Sequence, residues 1–263
     1  MDSIALDRPG AGNGMARPAY MQALMVIAAI LLWEVLARSG IFYHGVFPSI
    51  LVILSALGRL LASATFYWHL GVTVMEVLLA LAIGGVVGGV VGFLFGVSSF
   101  MSRAFENYVY YISATPKIIF FPLVITWFGI DSGSKIGLGA IAAFFPMCLN
   151  IATGIRGINP IWVRAARSYR ASFWQMLWKV YLPGTRPALL TALRLALAVT
   201  LVSVLLAETK LAKNGLGFLV DGAYSRYDMP TMYALILFIF CVSVGINLAL
   251  TRWIGETSQQ SFV

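Results

Sequence analysis

Long apolar runs separated by short polar stretches dominate the chain. A helix needs about 20 apolar residues, rising 1.5 Å each, to cross a hydrocarbon core of about 30 Å. Six runs meet that length, at residues 19–37, 71–96, 108–128, 136–155, 188–207 and 232–250. The first does not read as a cleavable signal peptide. Its apolar core is too long, and Trp33, Glu34 and Arg38 follow where small residues before a cleavage site belong. A further segment, 47–61, has leucines and isoleucines at helical spacing but is interrupted by Ser55, Gly58 and Arg59, which predicts a helix lying at the interface. The pattern therefore predicts an all-α, polytopic membrane protein with six transmembrane helices. No repeat of 20–50 residues and no low-complexity linker divides it, so one domain is expected over 19–253, between tails at 1–18 and 254–263.

Composition agrees. Of 263 residues, 60% are hydrophobic and 11% charged, against about 25% charged in an ordinary soluble domain. With a mean hydropathy of +0.88, a soluble enzyme, a disordered chain and a secreted disulfide scaffold are excluded. Cys148 and Cys241 fall inside apolar runs and read as buried thiols rather than a disulfide or a metal site.

The net charge of +8 orients the chain instead of pointing to nucleic acid. Its basic residues stand between apolar runs, as positive-inside signals do. With the N-terminus inside, the cytoplasmic stretches hold ten: Arg8, Arg17, Arg103, Arg156, Arg164, Arg167, Arg170, Lys179, Arg186 and Arg252. The outer stretches hold six: Arg38, Arg59, Lys135, Lys210, Lys213 and Arg226. The loop at about 156–186 decides the matter, having six positive residues and no Asp or Glu. Both termini are expected in the cytoplasm.

Two features inside the spans stand out. Gly84, Gly88, Gly92 and Gly96 recur every four residues, a small-residue stripe that another helix can approach closely. Ionisable groups in a span are costly, so Glu76 and Lys117 are candidates for function. With Thr115, Pro116, Thr126 and Asn150 they form the expected translocation path; Pro116 frees backbone carbonyls beside Lys117. Lys117 can equally pair with Glu76 or with a neighbouring carbonyl. Glu34 and Arg194 stand near span ends, within snorkelling reach of water.

No reactive constellation is present. The chain has no GxxxxGK[ST] phosphate loop, no HExxH, no CxxC and no Ser/His/Asp set, and its histidines, His44 and His69, are expected to face water or headgroups. No catalytic residue, metal or cofactor is therefore expected on this chain. A conduit fits better than an enzyme.

The basic loop reads as a docking element. Pro160 can open a short helix over 161–170, and Ser172 can cap a second that runs to Leu182, before Pro183. Trp, Tyr and Arg, abundant here, are the residues enriched at interface hot spots. Adsorption to anionic lipid is the competing reading of the same charge.

The order of motifs resembles the permease subunits of binding-protein-dependent ABC importers, in the nitrate/sulfonate/taurine-type branch. Arg164, Ala165, Ala166, Arg170, Val180, Leu182 and Pro183 match the positions of that family's EAA loop, whose pattern is Glu-Ala-Ala, three residues, Gly, nine residues, Ile, one residue, Leu-Pro. Trp33-Glu34, Phe47-Pro48-Ser49, Pro122-Leu123, Trp127-Phe128-Gly129, Ala207-Glu208 and Gly215-Leu216-Gly217 extend the likeness over most of the chain. Two departures from the pattern matter: Arg164 replaces its Glu and Arg170 its Gly.

The resemblance implies a type I importer permease, as a homodimer in a bacterial inner membrane, with two ATPase subunits below and a periplasmic or lipid-anchored binding protein above. ATP and Mg would be held by the ATPase. Ala165, Ala166, Ala171 and Leu182, with Pro183 ending the motif, would pack on the ATPase, and Arg164, Arg167 and Arg170 would meet its rim. Glu208, Gly215 and Gly217 would lie in the outer loop facing the binding protein. A small anion such as nitrate, bicarbonate, a sulfonate or an aromatic carboxylate is the expected cargo; neutral thiamine-precursor heteroaromatics also occur in this branch. An ion-coupled secondary transporter would show two related halves, which are not found. A passive scaffold fits poorly with Pro116, Pro122 and Pro146 inside spans.

Overall fold

The computed structural model describes residues 16–41 and 45–259. Arg8, His44 and the outermost parts of both tails lie outside the described residues. The chain runs through α1 (Ala16–Arg38), α2 (Ile50–Leu61), α3 (Ala64–Val97), α4 (Ser99–Ala114), α5 (Lys117–Phe128) and α6 (Ser132–Arg156). Then follow α7 (Pro160–Ser168), α8 (173–184), α9 (Arg186–Leu211), α10 (Leu216–Ser225) and α11 (Met229–Gln259). No strand occurs among the described residues. Among the described residues five helices, α1, α3, α6, α9 and α11, are long and apolar enough to cross a membrane, or six if the bent pair of α4 and α5 is counted as one broken span.

The span expected over 108–128 is broken in two at Thr115-Pro116. The two halves meet at a 97° bend. Pro116 has no N–H to donate, and it pushes Thr115 into extended backbone, with φ −72° and ψ 137°. The helix therefore stops and restarts. The segment expected at the interface is α2, whose 12 residues span about 18 Å at 1.5 Å each, too short to cross.

The centre of the fold is α3 against α6, with α9 closing the other side. Gly84, Gly88, Gly92 and Gly96 all face α6. A Cβ on Gly84 or Gly92 would run into the carbonyl oxygens of Ala140 or Cys148, and one on Gly88 would stand 2.5 Å from that of Phe144. At Gly84, Gly88 and Gly92 the nearest neighbour is backbone, so the helices lie very close there, while at Gly96 the Ile155 side chain fills the space. Small residues line the α9 side too: Ala143, Ala192 and Ala196 are fully buried.

The entry to the fold is tied at its outer end. Trp33 stacks on Phe47 at 4.2 Å and donates its Nε1–H to the Pro48 carbonyl at 3.2 Å. Glu34 accepts from the first N–H of α2, on Ile50, at 3.1 Å and pairs with Arg38 at 2.6 Å. The upstream part of α1 is exposed at Tyr20, Leu24, Ile27 and Leu31.

Three local expectations change. Lys135, assigned to an outer stretch, is 1% exposed, because α6 begins at Ser132 and carries it inward. His69 is buried, since α3 starts at Ala64 and includes it. Cys148 is buried, but Cys241 is exposed on α11.

Candidate functional site

Three groups of residues carry the candidate chemistry. The first is the loop after α6. Asn159 caps α7 by accepting from the Ile161 N–H at 2.9 Å, and Pro160 fills the first turn, where no N–H is needed. At its other end the Ala171 N–H donates to the Ala166 carbonyl at 3.0 Å and the Arg170 N–H to that of Arg167 at 2.9 Å. This is a Schellman closure, which requires left-handed backbone between the two donors. Arg170 supplies it, with φ +52°. At the position where the family pattern has Gly, Arg170 thus adopts the left-handed backbone that glycine favours and puts a side chain on the turn.

Past that turn, Ser172 and Gln175 form a capping box, with bonds of 2.9 and 3.3 Å, opening α8. Expected to end at Leu182, α8 instead continues to Gly184. Its middle widens to π-helix over Leu177–Tyr181, just ahead of the missing Pro183 N–H. Ala166 and Ala171, named as ATPase contacts, turn partly inward and pack on the chain's own core of Ile155, Met176 and Tyr181. Arg164, Ala165, Arg167 and Arg170 face outward, with Leu182 and Pro183 also exposed. Trp162, Tyr169, Phe173, Trp174 and Trp178 stand out beside them. None of these arginines is in an ion pair among the described residues.

The loop is also braced from above. Arg156, the last residue of α6, makes a two-pronged ion pair with Glu106 on α4, at 2.6 and 2.7 Å. Ser102 donates to the same carboxylate at 2.6 Å. Residues Ser102–Glu106 form a π-helical turn.

The second group lies at the bend. The Lys117 ammonium donates to the Ser113 carbonyl and, at 2.8 Å, to that of Thr115. It also lies 4.9 Å from the centre of the Phe145 ring on α6. A cation thus caps the carbonyls that Pro116 frees. Of the two partners left open for Lys117, the structure gives the carbonyls. Thr126 bonds its own helix at Pro122 (2.9 Å) and Asn150 at Pro146 (2.8 Å), with Thr126 exposed and Asn150 half-buried.

The third group is enclosed. Glu76, fully buried, receives the Lys135 ammonium at 3.0 Å. Along the same face of α3, Thr73 donates to Glu208 of α9 at 2.7 Å and accepts the Leu216 N–H at 2.8 Å. His69 Nδ1 accepts the Gly215 N–H at 3.0 Å, and Glu208 accepts the Gly217 N–H at 2.7 Å. The first turn of α10 is thereby fastened to α3 and α9. Gly215, at φ +113°, leaves no room for a Cβ against the Glu208 carboxyl, and one on Gly217 would lie 2.6 Å from Glu208 Cβ. Glu208, assigned to an outward-facing loop, is 1% exposed and points into the protein. Sequence reasoning missed His69, Thr73 and Lys135. The spacing 69, 73, 76 puts three polar residues on one helix face and was the available signal.

A bundle of apolar helices with a broken span, an enclosed polar cluster and an arginine-rich loop defines a polytopic membrane protein. A family model described as "Binding-protein-dependent transport system inner membrane component" matches residues 84–255. The chain is 32% identical to the taurine transport system permease protein TauC of Escherichia coli (strain K12) over 200 residues, 73% of each chain. It is 24% identical to the nitrate import permease protein NrtB of Leptolyngbya laminosa over 181 residues, 69% of this chain and 65% of that one. Among solved structures, the MetNI methionine ABC transporter in an inward-facing conformation aligns with TM-score 0.62 at 21% identity, covering 74% of this chain and 98% of its own. The chain belongs to the family of binding-protein-dependent transport permeases, and it is the membrane subunit of an ABC importer.

Proposed function

We propose that two copies of this permease form a path for a small anionic solute across a bacterial inner membrane. A separate ATPase docks under each copy at α7, and an outer binding protein delivers the cargo. The exposed face of α7 carries this reading. Among the described residues Arg164, Arg167 and Arg170 are in no ion pair there, beside Trp162 and Tyr169, while the helix's other side is anchored by Ala166 and Ala171. A rigid, cationic, aromatic surface with a fixed inner face suits a partner that presents acidic groups around a groove. The Arg164→Glu/Arg167→Glu double variant should lose most co-purifying ATPase, whereas Arg170→Gly should keep it. Unchanged co-purification of the double variant would sink the docking assignment.

The cargo class rests on Lys117, a cation at the broken span's bend. The relatives' names, taurine and nitrate, describe solutes carrying an oxyanion. With two of its three protons given to carbonyls, Lys117 keeps one direction for an anion. Lys117→Gln should cut nitrate or taurine uptake by cells at least tenfold, and Lys117→Arg much less. Equal uptake by all three proteins would remove Lys117 from the path.

A further inference from the structure

The outward face of α8 is aromatic and basic, and ATPase docking at α7 leaves it without a role. Phe173, Trp174 and Trp178 are exposed, the two tryptophans standing four residues apart on one side of the helix. Neither indole N–H has an acceptor among the described residues. Lys179 and Arg186 are exposed along the same stretch and are in no ion pair among the described residues. No Asp or Glu occurs between Gly157 and Ala207 to offset them.

The opposite face of α8 fixes the depth at which it lies. Met176 and Tyr181 belong to one core with Ile151 and Ile155, from the last turns of α6. The Phe93 ring of α3 meets that of Phe173 at 6.2 Å and that of Tyr181 at 5.6 Å, edge to face in both cases. Phe93 stands about one turn before Val97, where α3 ends, inside a helix apolar enough to cross a membrane. α8 therefore runs beside the last turn of a span, not beyond it in water. The outward surface of α3 at this end, Val90, Leu94 and Val97, is also exposed and apolar. At such a depth hydrocarbon gives way to headgroups. Trp is enriched there because its ring is apolar and its N–H needs a wet or polar acceptor. Lysine and arginine at that level meet the negative surface of anionic lipid.

We propose that α8 lies in the headgroup–acyl boundary of the bilayer, with Trp174 and Trp178 set among the lipids and Lys179 and Arg186 beside their phosphates. The basic loop is thereby divided between two partners. α7 is left to the ATPase, and α8 rests on lipid. The lipid contact gives α7 a second support, next to the packing of Ala166 and Ala171 on the core.

Tryptophan fluorescence of the full chain in phosphatidylglycerol-containing nanodiscs tests this. The chain has seven tryptophans, so the pair is read as the difference between the parent protein and Trp174→Phe/Trp178→Phe. Lipid brominated near the top of its acyl chains should quench that difference signal severalfold more than aqueous acrylamide does. The Trp162→Phe difference, from α7, should show the reverse preference. If the double variant does not fold, Trp178→Phe alone supplies the difference. Quenching of the pair by acrylamide and not by lipid would overturn the proposal and turn α8 towards water and the ATPase. Quenching by neither would overturn it in favour of a second copy covering the face. Equal lipid quenching at Trp162 would overturn the division of the loop. Neither ATPase nor cargo is present in the measurement, so its failure leaves the importer mechanism standing.

Discussion

The Arg156 guanidinium and the Glu106 carboxylate join the end of α6 to α4. Arg156 closes α6 three residues before Asn159, the cap of α7, and Glu106 lies on α4, one half of the broken span. The pair thus links the helix end that leads into α7 to the half of the broken span that precedes Pro116. Arg156→Ala should leave the complex assembled but reduce uptake per ATP hydrolysed. Swapping the pair, as Glu106→Arg/Arg156→Glu, should restore part of it. Paired measurements of uptake and ATP hydrolysis in proteoliposomes decide this; an unchanged ratio in Arg156→Ala would show that the pair transmits nothing.

Arg170 stands in left-handed backbone, which costs a non-glycine residue about 1–2 kcal/mol. Arg170→Gly should recover about 1 kcal/mol, less the extra freedom that glycine gains in the unfolded chain. The melting temperature of the purified permease should rise by a few degrees. A fall would mean that the arginine side chain stabilises the loop in some other way.

The glycine seam predicts a sharp contrast between neighbours. Gly92→Ala puts a methyl group into the Cys148 carbonyl, and backbone on both sides cannot yield without parting the helices. The cost should be about 1–3 kcal/mol or more, as for overpacking in a tight core. Gly89→Ala meets only the Ile151 side chain at 3.5 Å and should be accepted. Fluorescence-detected size exclusion separates them: Gly92→Ala should lose its monodisperse peak and Gly89→Ala keep it.

Much of this was legible beforehand. Helix count, the loop's two pieces and the helix starts at Pro160 and Ser172 follow from local rules, because apolar length and capping chemistry are properties of neighbouring residues. What escaped depended on distant partners. Lys135 and His69 look like loop residues until α6 and α3 extend to include them, and Glu208 looks outward-facing until α10, unassigned in the sequence, folds back over it. Thr115-Pro116 marked a weak point in the third span, but proline alone does not fix an angle. Ala166 and Ala171 were identifiable as apolar contacts; which surface they meet was decided by the turn at Arg170.

Removing one member of the enclosed ion pair should be harsh. Lys135→Met leaves Glu76 without its cation, a loss of about 3–5 kcal/mol for a buried pair. The Glu76→Gln/Lys135→Met double variant should regain most of that stability, as read by thermal melting in detergent. Additive losses in the double variant would show that the two residues do not act as a pair.

The most direct test of the whole account is affinity purification of the tagged chain in mild detergent from its own host, followed by mass spectrometry and an ATP hydrolysis assay. The account predicts that an ATPase subunit comes down with the permease and that the preparation hydrolyses ATP. A chain that purifies alone, in a preparation silent towards ATP, would contradict it.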